Sequence, residues 1–277
     1  MPLPATVASQ LIREIVERLE DVSDPIDASE LRGALRRLRN AQRTADAGDL
    51  GALFNTIGIV CLRLRDFRSA LDAHRNAAKY DTHHAGYLSN VAACLIELGQ
   101  FSQALTVMRD AMARPLKHPG VESCILGNMA EAEYHLGNHD TARRRYAEAT
   151  RIVDQTSTLE LLNLAGTAAV LGADEDAVEL FARAVAVGKG VELGEAPAIE
   201  FVLADPVCLK VAETRPPSLH EAIMRVGARH DTGAPPEHQI GAHVTLSPAA
   251  LSAVQEMVEH PPEPTKTLRM VFDGHRA

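Results

Sequence analysis

The feature that most constrains this chain is a pattern of apolar and small residues that recurs after 34 residues. The first copy contains Ile57-Gly58, Cys61, Leu64, Phe67, Ala70, His74 and Ala77. The second copy contains Val91-Ala92, Leu95, Leu98, Phe101, Ala104, Met108 and Ala111. Every position except that of His74 is apolar or small in both copies. A repeat of this length predicts a chain built from stacked supersecondary units that bury a continuous core together.

Two further copies follow. The third contains Met129-Ala130, Leu136-Gly137, Ala142, Tyr146 and Ala149, and the fourth contains Leu164-Ala165, Leu171-Gly172, Ala177, Phe181 and Ala184. The third copy begins four residues late, and the stretch 115–120, with two prolines and a glycine, supplies a longer turn. The fourth begins one residue late. Four copies therefore lie nearly in phase.

Each copy contains two helical patterns joined by a short turn. The turns are Arg65-Asp66, Gly99-Gln100, Gly137-Asn138 and Gly172-Ala173. A glycine directly after an apolar stripe favours a left-handed helix end, because it has no Cβ to clash. The small residues Ala70, Ala104, Ala142 and Ala177 recur where the second helix is expected to cross the first. We therefore predict closely packed helix–turn–helix pairs.

This arrangement resembles the tetratricopeptide repeat (TPR) family over residues 51–188. The resemblance implies an all-α fold, a right-handed α-solenoid, with repeats at about 51–84, 85–118, 123–156 and 158–190. The sequence departs from the family pattern in two ways: only Phe54 keeps the usual first-helix aromatic, and the proline that commonly closes a repeat is absent. The alternative is an unrelated helical bundle with coincidental alanines.

Different sequence patterns flank the repeats. Residues 1–50 contain two helical patterns, which we expect to form a pair that caps the solenoid. Residues 191–277 hold ten of the fifteen prolines. Helical patterns remain at 199–212, 218–228 and 247–259, and 267–272 is either a short strand or a docking segment. We predict an irregular, partly helical C-terminal extension.

The composition limits the functional classes. The formal net charge of −9 argues against a general nucleic-acid or anionic-membrane binder. No stretch approaches the ~20 apolar residues of a membrane-spanning helix, and no secretory signal is evident. The four cysteines form no C-x-x-C pair, which is typical of buried free thiols in a reducing compartment. The expected location is the cytoplasm.

Three asparagines occupy the same repeat position, on the first helix of successive copies: Asn90, Asn128 and Asn163. The resemblance implies a groove lined by these helices, in which such asparagines hold an extended peptide. A carboxamide suits this role because it both donates to and accepts from a peptide backbone. Hydrogen bonding between helices explains the same residues equally well, and both interpretations stay open. The first copy has Thr56 at this position, preceded by Asn55.

Other residues expected to face the groove are Arg63, Ser89, Glu97, Glu131 and His135. The set is mixed and mildly acidic, which favours a partly apolar peptide with a basic residue or two. The positions that would clamp a C-terminal carboxylate carry no basic residue. We therefore do not expect that mode of peptide binding.

Catalytic and metal motifs are not found. The sequence has no G-x-S-x-G, phosphate-binding loop or Rossmann fingerprint, and its twelve histidines show no H-E-x-x-H spacing. We expect no catalytic residue, no metal and no cofactor. The leading hypothesis is an adaptor or chaperone-like module that binds an extended segment of a protein partner. The alternatives are a scaffold acting through self-association as a homo-oligomer or through its tail, and an enzyme with an unrecognised catalytic tail.

Overall fold

The computed structural model describes residues 6–21, 26–116, 119–193, 197–213 and 217–231. These residues form thirteen helices and, within the described ranges, no strand. The helices are α1 Val7–Glu20, α2 Ala28–Ala41, α3 Ala47–Arg63, α4 Phe67–Tyr80, α5 Ala85–Glu97, α6 Phe101–Met112, α7 Pro119–His135, α8 His139–Ile152, α9 Thr158–Val170, α10 Asp174–Lys189, α11 Ala198–Ala204, α12 Pro206–Glu213 and α13 Pro217–Asp231.

Helix starts are fixed by short polar side chains. The Asp27 carboxylate accepts hydrogen bonds from the backbone N–H groups of Ser29 and Glu30, at 2.7 and 2.8 Å, where α2 begins. The Asp66 carboxylate accepts from the N–H of Ser69 at 3.1 Å at the start of α4. These side chains satisfy backbone donors that have no partner inside the helix, so each start is set by local sequence.

The turns within the repeats use left-handed backbone. Gly99, Gly137 and Gly172 have φ values of +72°, +83° and +76°, which confirms the prediction made from their place after an apolar stripe. The first turn uses Arg65, with a φ of 61°, and its guanidinium lies 5.7 Å from the centre of the Phe67 ring. This cation–π contact stabilises a conformation that a non-glycine residue rarely adopts.

The two helices of each repeat pack closely through alanine. Ala70, Ala104, Ala142 and Ala177 are all completely buried, as the recurring small residue predicted. Met108 and Phe181 are also fully buried, while Tyr146 is half-buried and its hydroxyl donates to Asp176 at 3.3 Å. A methyl group at the crossing lets the backbones approach, and the larger side chains fill the space beside it.

The helix pairs stack into an all-α solenoid. The first helices lie side by side, with α5 against α7 and α7 against α9, and each second helix packs on its own partner and on the next first helix. One core runs from α1 to α7 and another from α7 to α13. The core is therefore divided into two clusters, both of which include residues of α7, whereas the repeat spacing predicted one continuous core.

Both described ends are covered by further helices. At the N-terminal end, α1 and α2 pack on α3. At the other end, α13 contacts α9 and α10 in the way that α9 contacts α7 and α8, so it takes the place of another first helix. The Asp174 carboxylate accepts from the Arg225 guanidinium at 2.8 and 2.9 Å, which ties α13 to α10 and lowers the pKa of Asp174.

The segment 199–212 differs from the single helix expected from its apolar pattern. It forms α11 and α12, which meet at Asp205. Pro206 has no N–H to continue α11, and the Asp205 side chain instead accepts from the N–H of Val207 at 2.8 Å. The patterns at 247–259 and 267–272 lie outside the described residues.

The four cysteines all lie in the described ranges, where they are buried and form no disulfide. Burial raises the pKa of the Cys61 and Cys208 thiols to about 11, so both stay protonated at neutral pH. We expect a maleimide to leave all four thiols unmodified in the native protein and to modify all four in about 6 M guanidinium chloride, because only the exposed thiolate reacts. Mass spectrometry of the intact chain gives the number of adducts. A rapid adduct on the native chain would contradict the buried placement.

Candidate functional site

The candidate site is the groove, defined as the face of α3, α5, α7 and α9 on which residues 55, 90, 128 and 163 (the row) lie buried. These are the first helices of the four repeats; α5, α7 and α9 lie side by side, and a hydrogen bond between Asn90 and Asn55 connects α5 to α3. Thr56 is not part of the row's bonding, because its hydroxyl donates to the backbone carbonyl of Ala52 at 3.0 Å. The row therefore begins with Asn55.

Asn55 and Asn90 belong to one buried polar network. The Asn90 amide donates to Asn55 Oδ1 at 2.7 Å, and His74 Nδ1 lies 3.1 Å from the same oxygen. All three side chains are buried. Because Asn55 Oδ1 is an acceptor, we assign the ring proton of the neutral His74 to Nδ1. The network joins α3, α4 and α5, so these asparagines bond helices together in this structure.

Ser89 and Asn128 form the next connection along the row. The Asn128 amide donates to the Ser89 hydroxyl at 3.3 Å, and both side chains are buried. This bond joins α5 to α7. Bonding between helices, one of the two interpretations left open by the sequence, thus describes these contacts of Asn90 and Asn128.

Asn163 is in a different situation. It is only 4% exposed, and its Nδ2 finds no hydrogen-bond acceptor in the described part of the chain. It faces Gly127 of α7, where an added Cβ would lie 3.3 Å from Nδ2. A buried amide donor with no partner costs free energy. Asn163 and Asn55 are therefore the two row members whose buried amide nitrogens have no acceptor among the described residues.

The charged residues predicted for the groove lie on α3, α5 and α7. Arg63 is half-buried, its guanidinium donates to the Leu19 carbonyl at 3.3 Å, and burial lowers its pKa to about 10. Glu97 and Glu131 are buried, and Glu131 Oε1 lies 3.9 Å from His135 Nε2. The His135 ring stacks on Phe101 at 4.5 Å, and its partial burial lowers its pKa. In this set, Arg63 is thus the one arginine, and Glu97 and Glu131 are buried carboxyl groups.

A cavity of about 760 Å³ opens beside the groove, and we call it the α1–α9 cavity. Its walls come from α1, the start of α3, the turn between α8 and α9, and the start of α9. Its ionisable residues are Arg13, Glu17, Glu20, Asp49, Asp154 and Glu160. Sequence reasoning missed this cavity, because no local pattern signals that α1 and α9 face a common space.

Glu160 connects the cavity wall to the interior. It is 5% exposed, and its Oε2 accepts from the Asp154 N–H at 3.1 Å and from the Ser123 hydroxyl at 3.4 Å. Burial raises the pKa of Glu160 despite these bonds. Gly120 leaves room for it, since a Cβ there would fall 1.9 Å from Glu160 Oε1. This carboxyl group therefore joins α7 to α9 rather than facing solvent.

We also searched the described residues for metal-binding groups and membrane-spanning helices, and neither search identified a further site. In the described ranges, no group of three or more His, Cys, Asp or Glu side chains is placed to hold a metal ion. None of the described helices is long and apolar enough to cross a membrane. The groove and the α1–α9 cavity are therefore the two recesses from which a function can be argued.

Comparison with solved structures identifies similar folds. A thermophilic TPR protein of Thermus thermophilus matches at a TM-score of 0.51 and 14% identity, over 75% of this chain and 98% of that one. PilW, described as a type IV pilus biogenesis factor, matches at 0.49 and 15%, over 83% and 94% of the two chains. A tetratricopeptide repeat protein from Parabacteroides merdae matches at 0.40 and 17%, over 90% and 98%.

At these identities the likeness concerns the fold alone, and of these three structures only the first has a TM-score above 0.5. No protein-family model matches the sequence, and no curated protein matches it either. The shared feature is a stack of helix–turn–helix repeats.

Proposed function

Because the chain has the tetratricopeptide-repeat fold, we propose that it binds an extended segment of a partner protein in the groove, as an adaptor or chaperone-like module. The proposed role is binding rather than catalysis. Repeats stacked at regular intervals present equivalent side chains to successive residues of an extended chain. The fold supports a protein-interaction scaffold in general, and the groove residues support this particular mode.

The observation that carries the proposal is the row of groove asparagines, in which Asn163 Nδ2 is buried and bonds to no described residue. A backbone carbonyl of a bound peptide would supply the missing acceptor if binding turned this side chain, which is 4% exposed in the structure, toward the groove. Asn90 and Asn128 already bond to Asn55 and Ser89, so a peptide would gain less from their amide nitrogens.

We expect Asn163→Ala to weaken partner capture by about threefold to tenfold, because it removes one buried hydrogen-bond donor. The measurement is quantitative mass spectrometry of proteins retained from native lysate by the immobilised full chain. Asn76→Ala is the matched control, since Asn76 lies on α4, outside the groove. The control should capture the same proteins as the unchanged chain.

The single variant is a cleaner test than replacement of all three asparagines. Removing Asn90 or Asn128 would break bonds between helices and confuse lost binding with lost stability. Circular dichroism of Asn163→Ala should match that of the unchanged chain. Equal capture by Asn163→Ala and Asn76→Ala would show that the Asn163 amide holds no partner.

A further inference from the structure

An arginine-rich surface lies on α2, apart from both the groove and the α1–α9 cavity. Arg32, Arg36 and Arg39 follow one another at intervals of four and three residues, which places them on one face of the helix. Arg43 follows four residues later, in the turn after α2. All four side chains are exposed, and we call these four residues the arginine face.

The side chains of the arginine face are not neutralised by their surroundings. Among the described residues, none of the four forms an ion pair or a side-chain hydrogen bond. Two other arginines of α1 and α2 are paired, since Arg18 lies 2.7 Å from Glu30 and Arg37 lies 2.7 Å from Glu14. The arginine face therefore keeps four guanidinium groups whose donors are free to bind another molecule.

Asp27, at the start of α2, does not cancel this charge. Its carboxylate accepts from the N–H groups of Glu30 and Ser29, and these bonds lower its pKa more than the charge of Arg32 does. Approach to the middle of the face is also open, because an added Cβ at Gly33 would contact only the Arg36 guanidinium, at 3.9 Å.

Charge is distributed unevenly between the two layers of helices. The contacts of α2 with α1 and α3 parallel those of α4 with α3 and α5, so α2 belongs to the layer of second helices. Four arginines and one glutamate lie on α2, and three basic residues and one aspartate lie on α4. The first helices α5, α7 and α9 instead contain five glutamates and no lysine or arginine. In a chain with a net charge of −9, positive charge is thus concentrated on α2 and α4.

The arginine face is suited to carboxylates or phosphates, because a guanidinium binds either group through two parallel hydrogen bonds. A nucleic acid carries a phosphate on every nucleotide, and a long polyanion would also meet the acidic remainder of this chain. An acidic protein segment brings a few carboxylates to one place and avoids that repulsion. The charge distribution therefore favours a protein partner.

The spacing of the arginines agrees with such a segment. Intervals of three and four residues correspond to about 4.5 and 6 Å along a helix. Carboxylates four residues apart on a partner helix are separated by about the same 6 Å, and those on alternate residues of an extended segment by about 6.6 Å. The long arginine side chains can accommodate the remaining difference. Three or four acids close together in sequence can therefore contact the face at once.

We infer that the arginine face binds an acidic segment of a partner protein, in which at least three carboxylates lie within about ten residues. This surface is separate from the groove. Its role does not depend on peptide binding by the groove asparagines.

The test uses the full chain and fluorescent peptides of about fourteen residues, built from alanine and serine. Every third or fourth position is glutamate in one peptide, glutamine in the second and lysine in the third. Fluorescence polarisation at about 50 mM salt should show roughly tenfold tighter binding of the glutamate peptide than of the glutamine peptide, because several exposed ion pairs add up. Salt at about 0.5 M should reduce the difference to about twofold or less, because it screens charge.

Charge reversal locates the preference. Arg36→Glu places a carboxylate in the middle of the arginine face and should remove the preference for the glutamate peptide. Arg109→Glu is the matched control, because Arg109 is exposed on α6, outside the face, and it should keep the preference. Circular dichroism of both variants should match that of the unchanged chain. A preference that survives Arg36→Glu, or that Arg109→Glu also removes, would overturn the assignment to this face.

The remaining outcomes identify other occupants. Equal binding of the glutamate and glutamine peptides would overturn the preference for carboxylates. A single-stranded oligonucleotide that binds more tightly than the glutamate peptide, and is lost in Arg36→Glu, would assign the face to nucleic acid. Cosedimentation with phosphatidylserine vesicles that Arg36→Glu abolishes would assign it to a membrane surface. Light scattering that shows a dimer abolished by Arg36→Glu would assign it to a second copy. Each of these results would overturn the inference and leave the groove proposal, which is tested at Asn163, unaffected.

Discussion

Replacement of Gly58 by alanine should destabilise the protein by about 1–3 kcal/mol, the usual cost of forcing extra volume into a packed core. A Cβ at this position would lie 2.4, 2.5 and 2.7 Å from three atoms of the His74 ring. The ring cannot easily move aside, because it is fully buried and bonded to Asn55. The shift in the midpoint of urea-induced unfolding measures the effect.

Gly48→Ala is the matched control for that experiment. Gly48 lies in the same helix, α3, and an added Cβ there meets no atom within 4 Å. Because alanine is the better helix former, this variant should gain up to about 1 kcal/mol. The double variant Gly58→Ala, His74→Ala should cost less than the sum of its parts, since the clash is then absent. Equal stability of Gly58→Ala and Gly48→Ala would contradict the packing of His74 on α3.

The second large effect is a loss of stability in acid caused by His74. Burial lowers its pKa from 6.5 to about 3, and the ring is neutral in the folded protein. Its Nε2 is buried with no partner among the described residues, so protonation would add a buried N–H with no acceptor. Between about pH 6.5 and pH 3 the unfolded chain binds this proton and the folded chain does not. The stabilisation is therefore fully present above pH 6.5. As the pH decreases below 6.5, the free energy of unfolding decreases by about 1.4 kcal/mol per pH unit.

The measurement is the free energy of unfolding from urea titrations between about pH 7 and pH 4.5, a range in which His74 alone should contribute about 2–3 kcal/mol. Other groups also titrate, His135 among them. The informative quantity is therefore the difference in the pH dependence of the unfolding free energy between the unchanged chain and a variant without His74. His74→Asn keeps an amide donor near Asn55 but cannot be protonated, and it should lose the His74 part of the slope. Parallel pH profiles for the two chains would show that His74 is not buried as a neutral ring.

Both experiments probe the network at the start of the groove. Asn55, His74 and Asn90 hold α3, α4 and α5 together, and Gly58 is the space into which the ring fits. The repeat comparison identified His74 as the single exception to the apolar pattern without indicating its partners. The exception marks the place where a polar side chain replaces apolar packing between the first two repeats.

The helices and turns of the repeats were predictable because they depend on neighbours close in sequence. Helical spacing of apolar residues, glycine after a helix and alanine at the crossing each act over a few residues, and the glycine and alanine predictions are confirmed at Gly99, Gly137 and Ala104. The break at Asp205 and Pro206 was also visible locally, but the apolar pattern on either side concealed it.

The sequence by itself therefore determined the all-α repeat architecture, and the row of asparagines could be located from the repeat register. Only the tertiary structure decided what each asparagine does, since Asn55 and Asn90 are 35 residues apart and their bond depends on how two helices pack. The same holds for the α1–α9 cavity, whose walls come from opposite ends of the repeat run. The repeat periodicity determines which helices are packed next to each other. The rotation that accumulates from repeat to repeat determines which distant helices face one another.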